Sequence, residues 1–449
     1  MEKSDFYGSL VLMSRAEKNT TFKLRKMPTM LVSEKRVRCL RCNTWLVKAQ
    51  VALPHEEFYC PACIQLGRVT TLDNFFTLVE PNHFKKLDHY LTWQGQLTTS
   101  QKRCSKEVIH SFQQGRDHLL WAVTGAGKTE MLFPGINEAL KDGKRVCLAS
   151  PRVDVCLELF PRLQAAFQHV EITLLHGRQT EPYRYTQLTI ATTHQLLRFY
   201  HAFDVLIIDE VDAFPYAQNK QLLFATAQAK KTTGSCLFLT ATPGDELLKK
   251  VHQKQLQVSY LPRRFHGFPL PEIQTKLALN LYGKIQNKKL PSAVKQFLKQ
   301  CEESKRQFLL FVPHISHLEF VQKAVNQAFP KLYVTTVFSA DDQRLEKVQL
   351  MRDHEVNGLI TTTILERGVT FPEIDVCVLG ADDDTFSSAA LVQIAGRVGR
   401  SPKRPTGNVL FICAGLSRSV KKAIQQIKFV NHKAKEEENG LSAVSSPNT

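Results

Sequence analysis

The segment Ala122-Val123-Thr124-Gly125-Ala126-Gly127-Lys128-Thr129 decides the fold of this 449-residue chain. It follows an apolar run and precedes a helical stretch, which is the context of a phosphate-binding loop between a strand and a helix. Its glycines let backbone N–H groups curl around phosphates at the N-terminus of the helix, where the helix dipole favours anions. Ala122 stands where the general pattern has its first glycine.

The loop predicts a site for ATP and Mg²⁺. Lys128 would contact the β- and γ-phosphates, and the Thr129 hydroxyl would bind Mg²⁺. The predicted ATP-binding residues of the loop are Thr124, Gly125, Ala126, Gly127, Lys128 and Thr129.

Two further pairs of charged residues fit the same site. Asp209 and Glu210 follow an apolar run, so Asp209 can hold Mg²⁺ while Glu210 orients the attacking water. Arg397 and Arg400 are three residues apart, which predicts that they share one face of a helix and bridge the charge on the γ-phosphate. Seen alone, the first pair would be a solvated turn and the second a basic helix face. The predicted catalytic residues are Lys128, Glu210, Arg397 and Arg400.

Short apolar runs alternate with helical stretches in two consecutive series. Such runs are typical of strands in a parallel sheet that is covered on both faces. The first series comprises residues 119–123, 146–149, 205–208 and 236–239, and the second comprises residues 308–312, 333–337, 358–360, 376–379 and 409–412. The fold class predicted from this pattern is α/β, with two parallel-sheet lobes of similar size.

Four of the eleven cysteines form two Cys-x2-Cys pairs, Cys39 with Cys42 and Cys60 with Cys63, separated by seventeen residues. This spacing predicts a closed, structural zinc site of four thiolates. An iron–sulfur cluster or two redox pairs are the alternatives. Three arginines lie beside the first pair, at Arg36, Arg38 and Arg41. The module therefore faces DNA or a partner protein, or it only docks on the lobes.

These features divide the chain into six segments. Residues 1–35 form an extension without an assignment, 36–70 the four-cysteine module, 71–95 a linker, 96–262 and 263–432 the two lobes, and 433–449 a polar tail predicted to be disordered.

The charge balance favours a polyanionic partner. The chain has 59 Lys and Arg against 42 Asp and Glu, a formal net charge of +17, so nucleic acid is the first candidate.

No window approaches the roughly 18 consecutive apolar residues of a membrane span, and the first residues lack the apolar core of a secretory signal. We expect a cytoplasmic protein, with peripheral attachment to the inner face of the cytoplasmic membrane left open.

Over residues 96–415 the motifs resemble those of superfamily 2 helicases and translocases. Asp209-Glu210-Val211-Asp212 occupies the place of the DEAD/DEAH box, and residues 150–152 and 192–197 look like the DNA-contacting motifs of the first lobe. Residues 361–370, which include Gly368, are similar to a motif that contacts both the nucleic-acid strand and the bound nucleotide. Gln101 is similar to the glutamine upstream of the phosphate-binding loop that recognises the adenine base in these helicases. The resemblance implies two RecA-like lobes that hydrolyse ATP in the cleft between them.

The cysteine module, residues 125–131 and residues 364–372 together resemble the ComFA family of competence ATPases in naturally transformable Gram-positive bacteria. This resemblance implies an ATP-driven motor that helps to import single-stranded DNA through the channel ComEC, with ComFC as a partner. The helicase PriA shares these motifs, but it is much longer and carries its cysteines inside the helicase region. A general DNA or RNA helicase and a scaffold with an inert phosphate-binding loop remain alternatives, and a homo-oligomer stays open.

Overall fold

The computed structural model describes residues 1–15, 23–179, 182–366 and 371–444. The chain forms two compact units, residues 1–121 with 128–259 and residues 122–127 with 260–449. Among the described residues, no helix combines the length and the apolar character that a membrane crossing requires. Each unit contains one large parallel sheet, which confirms the predicted α/β class with two RecA-like lobes.

Among the residues described before the first α-helix, nine short strands form three antiparallel sheets. The middle strand β9 pairs with β1 and β2, while β3–β4–β5 and β6–β7–β8 form the other two sheets. The strands are β1 Val11–Ser14, β2 Arg25–Pro28, β3 Met30–Val32, β4 Arg36–Cys39, β5 Trp45–Val47, β6 Ala52–Leu53, β7 Glu57–Cys60, β8 Val69–Thr70 and β9 Asp73–Thr77.

The prediction of a linker over residues 71–95 is wrong where it covers β9. This strand holds together two strands from the extension that carried no assignment. Its pairing partners lie some 45 to 65 positions earlier in the chain. A local sequence pattern therefore does not predict this pairing.

The sheet of the first unit has seven strands in the order β12–β13–β11–β14–β15–β10–β16. Its elements are α1 Thr99–Gln114, β10 His118–Ala122, α2 Lys128–Lys141, β11 Val146–Ser150, α3 Val153–Ala166, β12 Ile172–Leu175, β13 Leu188–Thr192, β14 Phe203–Ile208, α4 Lys220–Ala229, β15 Lys230–Thr240, α5 Asp245–His252 and β16 Gln257–Leu261. From β12 to β10 the strands are parallel. All four predicted runs are strands, and β10 and β11 are buried along their whole length.

The sheet of the second unit has six parallel strands in the order β17–β22–β21–β18–β20–β19. Its elements are β17 Gln274–Leu277, α6 Leu281–Gln286, α7 Ser292–Glu303, β18 Phe308–Phe311, α8 Ile315–Ala328, β19 Val334–Val337, α9 Arg344–Arg352, β20 Gly358–Thr361, β21 Asp375–Leu379, α10 Ser388–Ala395, β22 Val409–Cys413 and α11 Arg418–Val444. All five runs of the second series are strands.

Helix α11 continues through much of the segment that was predicted to be a disordered tail from residue 433, so that prediction is wrong up to Val444. Ala434 on this helix is 2% exposed. Arg263 donates from Nη2 to the Ala434 carbonyl at 2.8 Å and pairs with Glu438 at 2.6 Å. Because the segment is mostly polar, its composition does not indicate that one side of the helix is packed.

A buried ion pair joins the N-terminal sheet to the large sheet of the first unit. Arg145, just before β11, and Glu80, just after β9, have fully buried side chains, and Arg145 Nη1 lies 2.7 Å from Glu80 Oε2. The guanidinium also donates to the Tyr183 hydroxyl and lies 4.6 Å from the centroid of the Tyr185 ring. The pair thus fixes the position of β9 on the lobe.

Replacing Glu80 by alanine should lower the free energy of unfolding of the first unit by about 3–5 kcal/mol, because it leaves a buried guanidinium without its counter-charge. The measurement is urea denaturation followed by circular dichroism. The control is Glu138→Ala, which breaks an exposed pair with Lys141 and should cost about 0–1 kcal/mol. Equal losses in the two variants would contradict the anchoring role of the pair.

Candidate active site

Parallel pairing brings the predicted motifs of the first unit to one edge of its sheet. Ser150 ends β11, Thr192 ends β13, Asp209 follows β14 and Thr240 ends β15. These strands are neighbours and parallel, so their carboxyl ends share one edge, which is where open α/β sheets bind ligands. The glycine-rich loop leaves β10 at the same edge.

The glycine-rich loop has the backbone of a phosphate-binding turn. Gly125 and Gly127 have φ angles of 78° and 70°, a region that glycine enters without steric cost. Lys128 begins α2, so the loop leads directly to a helix N-terminus. Ala122 is the last residue of β10, and a strand position does not need a glycine. This explains why the departure from the general pattern is tolerated.

Lys128 and Asp209 lie close together, as predicted for a shared nucleotide site. Lys128 Nζ is 4.0 Å from Asp209 Oδ1. Burial raises the pKa of the Asp209 carboxyl, and the positive charge of Lys128 opposes that rise. Thr129 is also buried, at 9% exposure. A hydroxyl and a carboxylate are oxygen ligands of the kind that Mg²⁺ prefers.

Glu210 occupies an unusual backbone conformation. Its φ angle is 54°, in the left-handed region, and its N–H donates to Asp209 Oδ1 at 2.8 Å. Strained residues of this kind cluster at functional sites. The conformation turns the chain sharply after β14, immediately beside Asp209.

The end of the DEAD-like segment is tied to the end of β15. Asp212 accepts hydrogen bonds from Thr240 Oγ1, at 2.6 Å, and from Thr242 Oγ1. Trp121 of β10 donates from Nε1 to the Ala241 carbonyl at 3.0 Å. The threonines after β15 are therefore connected to both the acidic segment and the strand that leads into the phosphate-binding loop.

Gln101 has a local role that the sequence analysis missed. Its N–H donates to Thr98 Oγ1 at 3.3 Å, and its Oε1 accepts from the Thr98 N–H at 2.9 Å. This is a capping box, and the Thr-x-x-Gln spacing that signals it is readable in the sequence. Adenine recognition by Gln101 stays a prediction. Gly368, the other predicted nucleotide contact, lies outside the described residues.

In the second unit, the two predicted catalytic arginines do not lie on a helix face, which corrects the prediction. Helix α10 ends at Ala395, and Arg397 donates its N–H to Ile394 O at 3.0 Å in the tight turn that follows. Gly399 has a φ angle of 72°, which no regular right-handed helix contains. Gly399, which lies between the two arginines, therefore interrupts the helix that the spacing predicted.

Backbone carbonyl groups of the second unit hold both arginines in place. Arg397 is 1% exposed and donates from Nε to the Glu366 carbonyl at 3.1 Å. Arg400 donates from Nε to the Gly396 carbonyl at 3.1 Å. In the same unit, Thr124 Oγ1 donates to that carbonyl at 3.2 Å.

Arg264 is a further arginine at this turn, and the sequence analysis gave it no role in the site. It is 2% exposed and donates from Nη2 to the Gly396 carbonyl at 3.2 Å. Within the described part of the chain, its Nε and Nη1 have no hydrogen-bond partner. Burial, together with the charge of Arg400, lowers the pKa of the Arg264 guanidinium to about 9. No sequence signal distinguishes it from its neighbour Arg263.

The four predicted metal ligands come together. The sulfurs of Cys39, Cys42, Cys60 and Cys63 are buried and lie within 4.8 Å of one another. Cys39 and Cys63 are 3.9 Å apart, and Cys42 and Cys60 are 3.6 Å apart. A tetrahedral ion with Zn–S bonds of about 2.3 Å places its sulfurs about 3.8 Å apart. The cluster therefore fits a zinc ion.

Family models match both units. The DEAD/DEAH box helicase model matches residues 101–251, and the helicase conserved C-terminal domain model matches residues 289–402. Among solved structures, the DEAD-box helicase Mss116 bound to ssRNA and UDP-BeF aligns with a TM-score of 0.52 and 17% identity. The alignment covers 71% of this chain and 70% of that chain. At this identity the likeness shows the fold alone.

Two curated relatives match along nearly the whole chain. Competence protein ComFA of Streptococcus pneumoniae is 41% identical over 431 residues, 96% of this chain and 98% of the relative. Competence protein ComFA of Bacillus subtilis is 42% identical over 409 residues, 90% of this chain and 87% of the relative. With both helicase models matched as well, the chain belongs to the ComFA family, and it is an ATPase of the superfamily 2 helicase type.

Proposed function

We propose that this protein is an ATP-driven translocase of single-stranded DNA that powers DNA import across the cytoplasmic membrane during natural competence. The observation that carries the proposal is the identity of 41% and 42% to two competence proteins over almost the whole chain. The net charge of +17 supports a nucleic-acid partner. A general DNA or RNA helicase is the alternative, since the same helicase models match.

For hydrolysis, we assign the binding of the phosphates to Lys128 and the loop before it. Thr129 and Asp209 would hold Mg²⁺, which neutralises charge on the phosphates when it is bound. Glu210 follows Asp209 on a strained turn and orients the attacking water. Hydrolysis needs little covalent help, so positioning and charge neutralisation are the main tasks of these residues.

For the charge that develops on the γ-phosphate, we assign Arg397 and Arg400, and we add Arg264. The reason for adding Arg264 is its buried guanidinium, whose Nε and Nη1 have no partner among the described residues. An oxyanion would supply both the missing acceptors and the missing counter-charge.

For transport, we propose that both lobes grip DNA phosphates without sequence preference. Such binding weakens steeply with salt. On the strength of the family resemblance, we propose ComFC and the channel ComEC as partners and a position in the cytoplasm at the inner face of the membrane. A homo-oligomer is compatible with this assignment.

The decisive assay is steady-state ATP hydrolysis without nucleic acid and with single-stranded DNA, duplex DNA or RNA. We expect single-stranded DNA to stimulate best, and Lys128→Ala to lower the stimulated rate by about 10²-fold or more, because it removes a charged phosphate contact. Stronger stimulation by RNA would favour an RNA helicase. Absence of hydrolysis in every condition would favour a scaffold.

Arg264→Gln should lower kcat by about 10²-fold while the affinity for ADP changes little, because the contact proposed is to the γ-phosphate. The measurements are kcat, KM and ADP affinity. The matched control is Arg263→Gln, since that neighbouring guanidinium pairs with Glu438 on α11. Equal kcat values in the two variants would remove Arg264 from the proposed site.

We also propose that the four-cysteine cluster holds a structural zinc ion. Metal analysis should find about one zinc per chain, and Cys60→Ser should lose it and lower the thermal midpoint, because structural zinc contributes directly to folding. Cys301→Ser, a buried cysteine of the second unit, should keep the zinc. Iron in place of zinc, or full zinc content in Cys60→Ser, would overturn this assignment.

A further inference from the structure

The small sheet β3–β4–β5 carries an exposed row of side chains across its three strands. Leu31 pairs with Arg38, and Arg38 pairs with Trp45, so these three residues share one face. Arg36 and Val47 form the next row on that face, because alternate residues of a strand point the same way. Leu31 is 48% exposed, Trp45 54% and Val47 46%. We call these five residues the Trp45 face.

The opposite face of the same sheet is part of the core. Met30, Val37 and Cys39 are 5%, 0% and 0% exposed and belong to a cluster that continues into the first lobe. Packing in the core therefore explains the apolar residues on the buried face, but not those on the Trp45 face. A tryptophan, a leucine and a valine left together in solvent indicate a binding surface.

The Trp45 face is also basic. Two of its five residues are Arg36 and Arg38, and none of the five is acidic. Arg38 donates from Nε to Asn43 Oδ1 at 2.6 Å, and its guanidinium carbon lies 5.7 Å from the centroid of the Trp45 ring. These contacts hold the charge of Arg38 beside the aromatic ring. The complementary ligand is a polyanion with flat apolar groups.

The module docks on the lobe through other residues. Arg41 is 4% exposed, and its Nη1 donates at 2.8 Å to the carbonyl of Gly67, which belongs to the same module. Thr44 Oγ1 accepts a hydrogen bond from Gln221 of α4 at 2.8 Å. The module can therefore dock on the first lobe and still leave the Trp45 face exposed for binding. Of the three arginines near the first cysteine pair, only Arg41 is buried.

We propose that the Trp45 face binds single-stranded DNA, with one base stacked on Trp45 and backbone phosphates bound by Arg36 and Arg38. The inference rests on the proposed function and adds a DNA contact outside the two lobes. Aromatic residues beside basic ones are the common arrangement for single strands, because every base has a flat face and every nucleotide a phosphate. Leu31 and Val47 extend the apolar strip beside the ring.

Intrinsic fluorescence offers a direct readout in the full-length protein. Of the three tryptophans, all of which the structure describes, Trp121 is 8% exposed and Trp93 is half-buried against Phe133. We expect oligo-dT to quench the emission of the exposed Trp45. Trp45→Phe should abolish that quenching while it preserves most of the affinity, because phenylalanine still stacks.

Binding assays separate stacking from charge. Trp45→Ala should weaken oligo-dT binding about tenfold and leave binding of an abasic oligomer of the same length unchanged. Arg36→Gln and Arg38→Gln should each reduce the slope of log affinity against log salt by about 0.7. Tyr333→Ala and Arg352→Gln, two exposed positions of the second unit, are the matched controls and should bind as the wild type does.

The outcomes distinguish this inference from the function on which it rests. If the wild type neither binds single-stranded DNA nor responds to it in ATP hydrolysis, the proposed function fails. If the wild type binds and responds, but the Trp45 and arginine variants match it in affinity, quenching and salt slope, the Trp45 face is not a DNA site. Retained zinc in each variant shows that the module is folded.

Discussion

Parallel hydrogen bonding between β10, β15, β14, β11 and β13 is the constraint on which the site depends. It places Lys128 and the turn after β14 at one edge, although about eighty residues separate them in the chain. The ladder also buries the surroundings of Asp209, which raises the pKa of its carboxyl. Lys128 supplies the opposing charge 4.0 Å away. Geometry and electrostatics of the site thus have the same origin.

Two buried arginines differ in whether the protein compensates their charge. Arg145 lies beside Glu80, a hydroxyl and an aromatic ring, so its charge is compensated within the protein. Arg264 is almost as deeply buried, and burial together with the charge of Arg400 lowers the pKa of its guanidinium to about 9. A buried cation without a counter-charge costs free energy in the free protein. The anionic ligand proposed for Arg264 would offset that cost.

The cysteine module has two sides with different chemistry. One side shares the core of the first lobe, and Thr44 connects it there through its hydrogen bond with Gln221. The other side, the Trp45 face, has no folding task that would explain its exposed apolar groups. The four-cysteine cluster lies next to β4, whose alternating residues form both sides. A metal in that cluster would keep this thin sheet rigid enough to present a defined surface.

The sequence by itself determined the features that depend on neighbouring residues. Strands β10, β11, β14 and β18 followed from apolar runs, the loop before Lys128 from its glycines, and the cysteine cluster from its spacing. Each of these is encoded within a few positions. Even so, the helix predicted from the spacing of Arg397 and Arg400 is wrong, because α10 ends at Ala395 and Gly399 adopts a left-handed conformation.

Only the tertiary structure decided the features that depend on distant partners. Strand β9 pairs with strands tens of residues earlier, and the ion pair of Arg145 spans 65 positions. Arg263 and Arg264 are chemically identical neighbours, yet one pairs at the surface of α11 and the other is buried. Which side of β5 faces solvent is likewise set by what packs beneath it. Burial and counter-charge depend on all the neighbours in space, and a local pattern contains only the neighbours in the chain.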